Sequence, residues 1–532
     1  MVPHHGILLA VDIISTSFGD IVGKVCNCLL EKGALTIQDL ARFTKLKPSQ
    51  LKNSLLVLIQ HNCVQAFTRS TDDGSSATQR VLTEYVALFD NILHRLRFSK
   101  FLKLIREKFD SQCENIMRIL LEHGRLTFDQ VLTRGVWISN EEVLDGSDAK
   151  DSVRANVVKL AQAHFLERCP NPNPSIVSSP DTNPKKKFAR GVKAMEEIVT
   201  DEQLAVAAAI CSDSQRFYFP IQGVGGASEV MEDEQPSATV GQKRKHVAFE
   251  MDAETMASVC EKEVLWRANF DEFIRCLRNK ACVGSIRRRL DVGAGTILEA
   301  VLEATRLSEE NLKIERTAPL SIDAILQAVR EHPEGLAMTR EHVRAALDQI
   351  GLVSCSGGIE ESYSINLRDI IEAARNDEVE SIVLKRHGRD SYRIFRLLSM
   401  KGCSFDVKEV ADYALIETKK AAEYLHKLSK DHYLHMESIK HPQGQSQWLC
   451  LWKVNKNIVW EHVLDDMYHA AVNLSRRLTF EIEQEREITK LVKNQMASRA
   501  QITKLTKMKR IIHVIEASVL KIDDSLMLFR DF

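Results

Sequence analysis

The sequence has no excess of either charge. Its 72 Lys+Arg are matched by 73 Asp+Glu, for a net charge of -1 over 532 residues. That excludes a bulk polycation coating nucleic acid, because any attraction to phosphate has to come from local patches. Long apolar runs are also missing. None approaches the ~20 residues of a membrane helix, and the longest are Ile7–Val11 and Leu204–Cys211. Asp12 ends the first of these with no basic residue before it, so a secretory leader is not expected. The 12 cysteines contain no C-x-x-C pair. Zinc-ribbon spacing is therefore absent, and scattered thiols suit a reducing compartment. No G-x-x-x-x-G-K-[ST] loop, H-E-x-x-H or G-x-S-x-G occurs. Gly223–Gly226 and Gly293–Gly295 lack the strand-to-helix setting of a dinucleotide turn. No catalytic residue, cofactor, metal or small-molecule ligand is expected.

What is present is ordinary folded protein, 44% hydrophobic and 27% charged, long enough for three to four domains. Two stretches read as linkers. Cys169–Pro184 holds five of the 12 prolines, a density that predicts no packed element. Gln222–His246 is Gly-, Ser- and acid-rich, ends in Lys243-Arg244-Lys245, and reads as a disordered insertion.

Around these linkers an internal pattern recurs. From Gly33 and again from Gly402, a glycine is followed by a short extended pair, a short helix, a turn, and a helix with Leu at helical spacing. A His or Asn then leads into an alternating, strand-like segment. Gly124 opens another copy and Gly335 a weaker one. Amphipathic helices precede them at Ile21–Lys32, Glu114–His123, Ile322–Glu331 and Tyr392–Lys401. This is the winged-helix order. Pro48 sits in the first turn of a helix, where its missing N–H costs nothing. Asp72–Ser76 and His441–Gly444 read as wing tips. After Val454 the chain reads as helix. Leu505, Met508, Ile512, Ile515, Val519, Ile522, Leu526 and Phe529 alternate in steps of three and four, a heptad seam. An antiparallel hairpin is the simplest arrangement, and dimerisation through one long helix stays open.

The expected fold is therefore mainly α with small β wings, four tandem winged-helix domains and a C-terminal antiparallel coiled coil. The expected boundaries are 1–96, 97–169, a linker over 170–261, then 262–376, 377–454 and 455–532. The second helix of the first copy shows Gln50, Asn53, Ser54, Val57, Gln60 and His61 opposite its Leu stripe, with no cation among them, and suits a protein contact. In the last copy Lys419, Lys420, Lys427 and Lys430 surround Glu423 on one outward face, which suits DNA phosphates or an acidic protein. No Arg or Asn there can read a base, so contact is expected to be non-sequence-specific. Further DNA-contact candidates are Arg287, Arg288 and Arg289. Lys185–Lys187 and Lys243–Lys245 fit nuclear-import signals.

The segments LVLIQHN (Leu56–Asn62), KLAQAHFLERCP (Lys159–Pro170), FGDIVGKV (Phe18–Val25), SYRIFRLLSMKG (Ser391–Gly402) and YSINL (Tyr363–Leu367) together resemble the winged-helix subunit of RNA polymerase III. That subunit is related to the alpha subunit of transcription factor IIE. The resemblance covers nearly the whole chain and departs at the Gln222–His246 insertion and the wing tips. The missing zinc ribbon makes the chain less like the IIE subunit itself. The resemblance implies a nuclear, non-catalytic polymerase subunit seated on the clamp, partly through the heptad helices. It implies two smaller partners in a dissociable heterotrimer, promoter DNA as a further contact, and a role in opening promoters of tRNA and 5S rRNA genes. Other readings left open by the residues are a sequence-specific winged-helix regulator and a scaffold subunit of another complex.

Overall fold

The computed structural model describes residues 2–71, 80–139, 146–172, 174–177, 200–209, 216–218, 264–308, 313–355, 362–440, 448–493 and 499–532. The chain divides into two compact units, Ile13–Phe270 and Met1–Asp12 with Asp271–Phe532. Helix α1 (His4–Phe18) falls across the first division. The fold is mainly helical with small sheets. The expected wing tips Asp72–Ser76 and His441–Gly444 lie outside the described residues.

In the unit Ile13–Phe270 the first copy runs α2 (Asp20–Lys32), β1 (Leu35–Thr36), α3 (Ile37–Thr44), α4 (Pro48–Gln60), β2 (Val64–Thr71) and β3 (Arg80–Ala87). The local chemistry sets the boundaries. Gly33 ends α2 at φ +83 and Thr36 caps α3 by accepting from the Asp39 N–H. Pro48 opens α4, and Asn62 at φ 58 turns the chain into β2. Strand β3 lies between β1 and β2, both antiparallel to it. Next come α5 (Phe89–His94) and α6 (Phe98–Lys108). The second copy is α7 (Ser111–His123), β4 (Leu126–Thr127), α8 (Phe128–Ser139), α9 (Gly146–Gln162) and β5 (Leu166–Arg168). Gly124 at φ +79 and His164 at φ 62 repeat the roles of Gly33 and Asn62.

Three expectations in this unit are corrected. First, the proline-rich stretch does hold an element. Strand β6 (Ser175–Val177) pairs in parallel with β2, and the carbonyl of Pro174 accepts from both the N–H and the hydroxyl of Thr68. Prolines flanking a three-residue edge strand cost no ladder bond. Second, the linker also holds α10 (Asp201–Ala209), which seats Ala205 against Phe67 and Val86 and pairs Asp201 with Arg69 at 2.9 Å. Third, the boundary at 262 falls too early. Strand β7 (Leu265–Ala268) lies between β4 and β5 and completes the second copy's sheet. The chain after β5 enters the Pro170–Pro174 run rather than a hairpin return, so the missing strand comes from about 100 residues further on.

The second unit begins with α11 (Phe270–Arg289), followed by α12 (Val292–Ala304), β8 (Leu320–Ser321), α13 (Ile322–Glu331), α14 (Arg340–Ile350), β9 (Leu352–Cys355) and β10 (Ser362–Ile365). Here the sequence register is off by one helix. Ile322–Glu331 follows the short strand instead of preceding it, and α12 is the leading helix. Gly335, expected to open this copy, lies in a 3-10 turn without positive φ, whereas Gly351 at φ +101 takes the place of Asn62 and His164. Strand β10 lies between β8 and β9, over a core that includes Ile297, Val301, Val329, Leu347 and Ile365.

Helix α15 (Leu367–Lys401) is two arms broken at Gly388, whose φ 82, ψ -178 only glycine adopts readily. The arms fold back on each other. Tyr392 and Arg396, beyond the break, reach Glu380 before it, at 3.3 and 3.9 Å. A straight helix would hold residues 380 and 396 roughly 24 Å apart. The second arm leads the last copy, with α16 (Val407–Ala414), α17 (Thr418–Lys430), β11 (His435–Lys440) and β12 (Trp448–Lys453). Asp406 and Glu409 form a capping box on α16. Leu415 and His432 take left-handed φ of 54 and 60, as Lys45 and Asn62 do in the first copy.

The tail forms α18 (Lys456–Lys493) and α19 (Arg499–Arg530), packed along each other. Glu485 faces Lys509 at 4.0 Å, while Val463 and Met467 share a cavity with Ile522, so the helices run antiparallel. The base of this hairpin is fastened to the first arm of α15. Arg375 donates to the carbonyls of Leu528 and Phe532 at 2.9 and 2.8 Å.

Candidate nucleic-acid interface

Helix α17 buries Ala421, Leu425 and Leu428 at or near zero exposure. Burying each leucine contributes roughly 1.5–3 kcal/mol and fixes the rotation of the helix. The opposite side carries Lys419, Lys420, Lys427 and Lys430, all exposed, with Glu423 between them. At ~100° per residue the four lysines fall within about 100° of arc. Lys420 is 3.7 Å from Glu417, an exposed pair one turn away. Among the described residues no carboxylate pairs with Lys419, Lys427 or Lys430. The expected lysine face is therefore a continuous, solvated, cationic surface on one rigid helix.

The three arginines are placed elsewhere. Arg287 pairs with Glu299 at 3.0 Å, and Arg289 grips the carboxylate of Asp377 with two bonds at 3.0 and 3.1 Å and the Ala373 carbonyl at 3.1 Å. Arg288 donates to the Gly284 carbonyl at 3.1 Å. The Arg287 and Arg289 guanidiniums fasten α11 to α12 and to the first arm of α15, while the Arg288 bond stays within α11. A fork of donors against planar carboxylates is a structural use of arginine.

The face of α4 expected to meet another protein is partly used inside its own unit. Ser54 is buried, and Gln60 donates to the carbonyls of His123 and Arg125 at 3.0 and 2.5 Å. His61 packs its ring 4.6 Å from Phe18, and its Nδ1 has no hydrogen-bond partner among the described residues. Burial first, then Arg95 and His123, push its pKa down to about 4. The exposed residues of this helix are Pro48, Ser49, Gln50, Lys52, Asn53 and Leu56, so of the expected face only Gln50 and Asn53 are fully open.

The heptad seam is also used within the chain. Met508, Ile512, Ile515, Leu526 and Phe529 are buried, and Leu505, Val519 and Ile522 are partly so. Their apolar surface is covered intramolecularly. Any outside contact of the hairpin has to use other residues, such as the exposed Ile511 and Val514 flanked by Lys507 and Arg510. The clusters Lys185–Lys187 and Lys243–Lys245 lie outside the described residues.

Sequence reasoning missed the buried ionic groups. Glu167 is held by Arg216 and Arg267 at 2.5 and 2.7 Å, and Glu272 by Arg275 and Arg306 at 2.8 and 2.7 Å. Arg275 lies one turn from Glu272, but the other partners come from 34 to 100 residues away, where no local spacing signals them. No helix among the described residues is long and apolar enough to cross a membrane.

Comparison with known proteins covers most of the chain. Residues 8–69 match the helix-turn-helix domain of RNA polymerase III subunit RPC82, and 155–398 match the RNA polymerase III subunit RPC82 family. Residues 379–452 match the C-terminal winged-helix domain of POLR3C. The DNA-directed RNA polymerase III subunit RPC3 of Homo sapiens is 23% identical over 553 residues, covering 98% of this chain and 96% of the relative. That of Danio rerio is 26% identical over 531 residues, with 96% and 92% covered. The protein of the same name from Dictyostelium discoideum is 22% identical over 665 residues, with 98% of each covered. With three matching family models in chain order and relatives aligned end to end, this chain belongs to the RPC82/RPC3 family of RNA polymerase III subunits.

Proposed function

We propose that the chain is the winged-helix member of a dissociable heterotrimer on the polymerase III clamp, where it helps open promoter DNA of tRNA and 5S rRNA genes. It works in the nucleus and carries no active site of its own. Its two smaller partners and the polymerase core hold it through protein contacts. DNA is met locally and without base reading, through Lys419, Lys420, Lys427 and Lys430. The observation that supports this reading is the lysine face of α17, where three of four cations lack a carboxylate partner among the described residues. Such a face matches a phosphate backbone and holds nothing to distinguish bases. Arg287 and Arg289 are left out, because they are already paired with carboxylates.

The test is binding of the full-length chain to a partly melted duplex across a salt series. Lys419→Glu, Lys420→Glu, Lys427→Glu and Lys430→Glu together should weaken binding and flatten the salt dependence by about 0.9 per lost phosphate contact. Unchanged affinity and slope would remove DNA from the role of this face.

A further inference from the structure

The second arm of α15 carries another charged surface, on the side away from α17. Asp390 on this arm reaches Tyr424 of α17 at 3.4 Å, and Ser391, Ile394, Phe395 and Leu398 are buried. Arg389, Arg393 and Met400 lie on the opposite side, within about 40° of one another at ~100° per residue. All three are exposed, and Met400 shows 75% of its surface.

The neighbouring carboxylates are already committed. Asp377 is gripped by Arg289, Glu378 accepts from Ser525 at 3.3 Å, and Glu380 accepts from Tyr392 and faces Arg396. Asp390 is turned to Tyr424. The break at Gly388 is what brings Glu380 to Arg396, so the fold itself takes up the arm's acidic side chains. Arg389 and Arg393 have no ion pair among the described residues. Two forked guanidiniums one turn apart fit carboxylates spaced along a helix or strand. A large exposed methionine on the same stripe has no use against phosphates but gives an adaptable contact to an apolar side chain.

We infer that Arg389, Arg393 and Met400 form a docking surface for an acidic, amphipathic protein segment, distinct from the lysine face of α17. The partner carries paired carboxylates and one apolar anchor beyond them.

The test uses the full-length chain and a fluorescein-labelled amphipathic peptide of Glu, Ala and Leu, with a partly melted duplex as the second probe. Arg389→Glu with Arg393→Glu should lower peptide affinity about tenfold, a loss of about 1.4 kcal/mol. Met400→Ser should lower it several-fold and persist at high salt, where ionic contacts are screened. Neither variant should alter thermal melting, since all three side chains are exposed. Lys419→Glu with Lys427→Glu should leave peptide binding unchanged. The inference is overturned if the wild-type chain does not bind the peptide, or if the arginine variant binds it as well as wild type. It is also overturned if the arginine variant loses the duplex and keeps the peptide, which would make the stripe a nucleic-acid surface.

Discussion

Arg125, the first residue after the glycine that opens the second copy, donates from Nε to the side-chain oxygen of Asn62 at 2.8 Å. Asn62 sits at left-handed φ 58, where the first copy turns into its wing. Arg267 of β7 reaches the same oxygen at 3.4 Å. One turn residue thus ties together the first copy, the second copy and the distant strand that completes the second sheet. Burial, together with neighbouring Arg267, holds the Arg125 guanidinium below its ordinary pKa. Asn62→Ala removes the acceptor and places alanine in a left-handed conformation. The expected loss is about 2–4 kcal/mol in chemical denaturation. Asn62→Gly loses the acceptor but relieves the backbone, so it should cost roughly 1 kcal/mol less.

Gly33 and Gly124 hold equivalent places in the repeat but face different surroundings. A Cβ at Gly33 would meet nothing within 4 Å, whereas one at Gly124 would lie 2.0 Å from the carbonyl oxygen of Gln60. Gly33→Ala should cost only the backbone strain of its positive φ, about 1–3 kcal/mol. Gly124→Ala must also push α4 off α7. Its melting temperature should fall well below that of Gly33→Ala, and equal melting temperatures would contradict the close packing of the two copies.

His61 gives the first unit a pH response. Its folded pKa of about 4 lies below the ordinary 6.5. Between those values the unfolded chain holds a proton that the folded chain does not. Stability contributed by the neutral, buried ring is complete above pH 6.5 and is lost as pH falls toward 4. The loss is on the order of 1–2 kcal/mol once solvent screening is allowed for. His61→Gln should flatten the difference in thermal stability between pH 7 and pH 5.

The hairpin seam is a stability element before it is a docking element. Ile515 is buried on α19, the helix that packs along α18. Ile515→Asp places a charge where it has no partner, at a cost of several kcal/mol. Helical circular dichroism of the full-length chain should drop at a lower temperature than in wild type. Val514→Asp, one residue away and 65% exposed, should leave that transition in place.

Much of this fold is written in short-range signals. Gly33, Gly124 and Gly402 mark helix ends because positive φ excludes most side chains, and each was legible as the start of a copy. Asn62, His164 and His432 mark the turn into a wing for the same reason. The third copy was misread because Gly335 mimics the pattern while the true leading helix, Val292–Ala304, has no glycine at the corresponding place after it. Long-range pairing was not legible. Strand β7 reaches β5 across a span that includes both expected linkers, and β6 joins β2 from inside a proline run. The lysine face of α17 was readable because Ala421, Leu425 and Leu428 fix the inner side by period alone. The commitment of Arg287 and Arg289 to Glu299 and Asp377 was not, since those carboxylates lie on other helices. The arginine stripe of α15 was hidden for a related reason. Only the fold at Gly388 shows which acids Arg396 and its neighbours have already taken.

The central claim is membership of the polymerase III assembly. Affinity purification of the tagged full-length chain from nuclear extract, with mass spectrometry of the recovered proteins, tests it most directly. The account predicts recovery of the large polymerase III subunits and two smaller chains that leave together with this one when the complex is dissociated. Recovery of the chain alone, or with an unrelated complex, would contradict it.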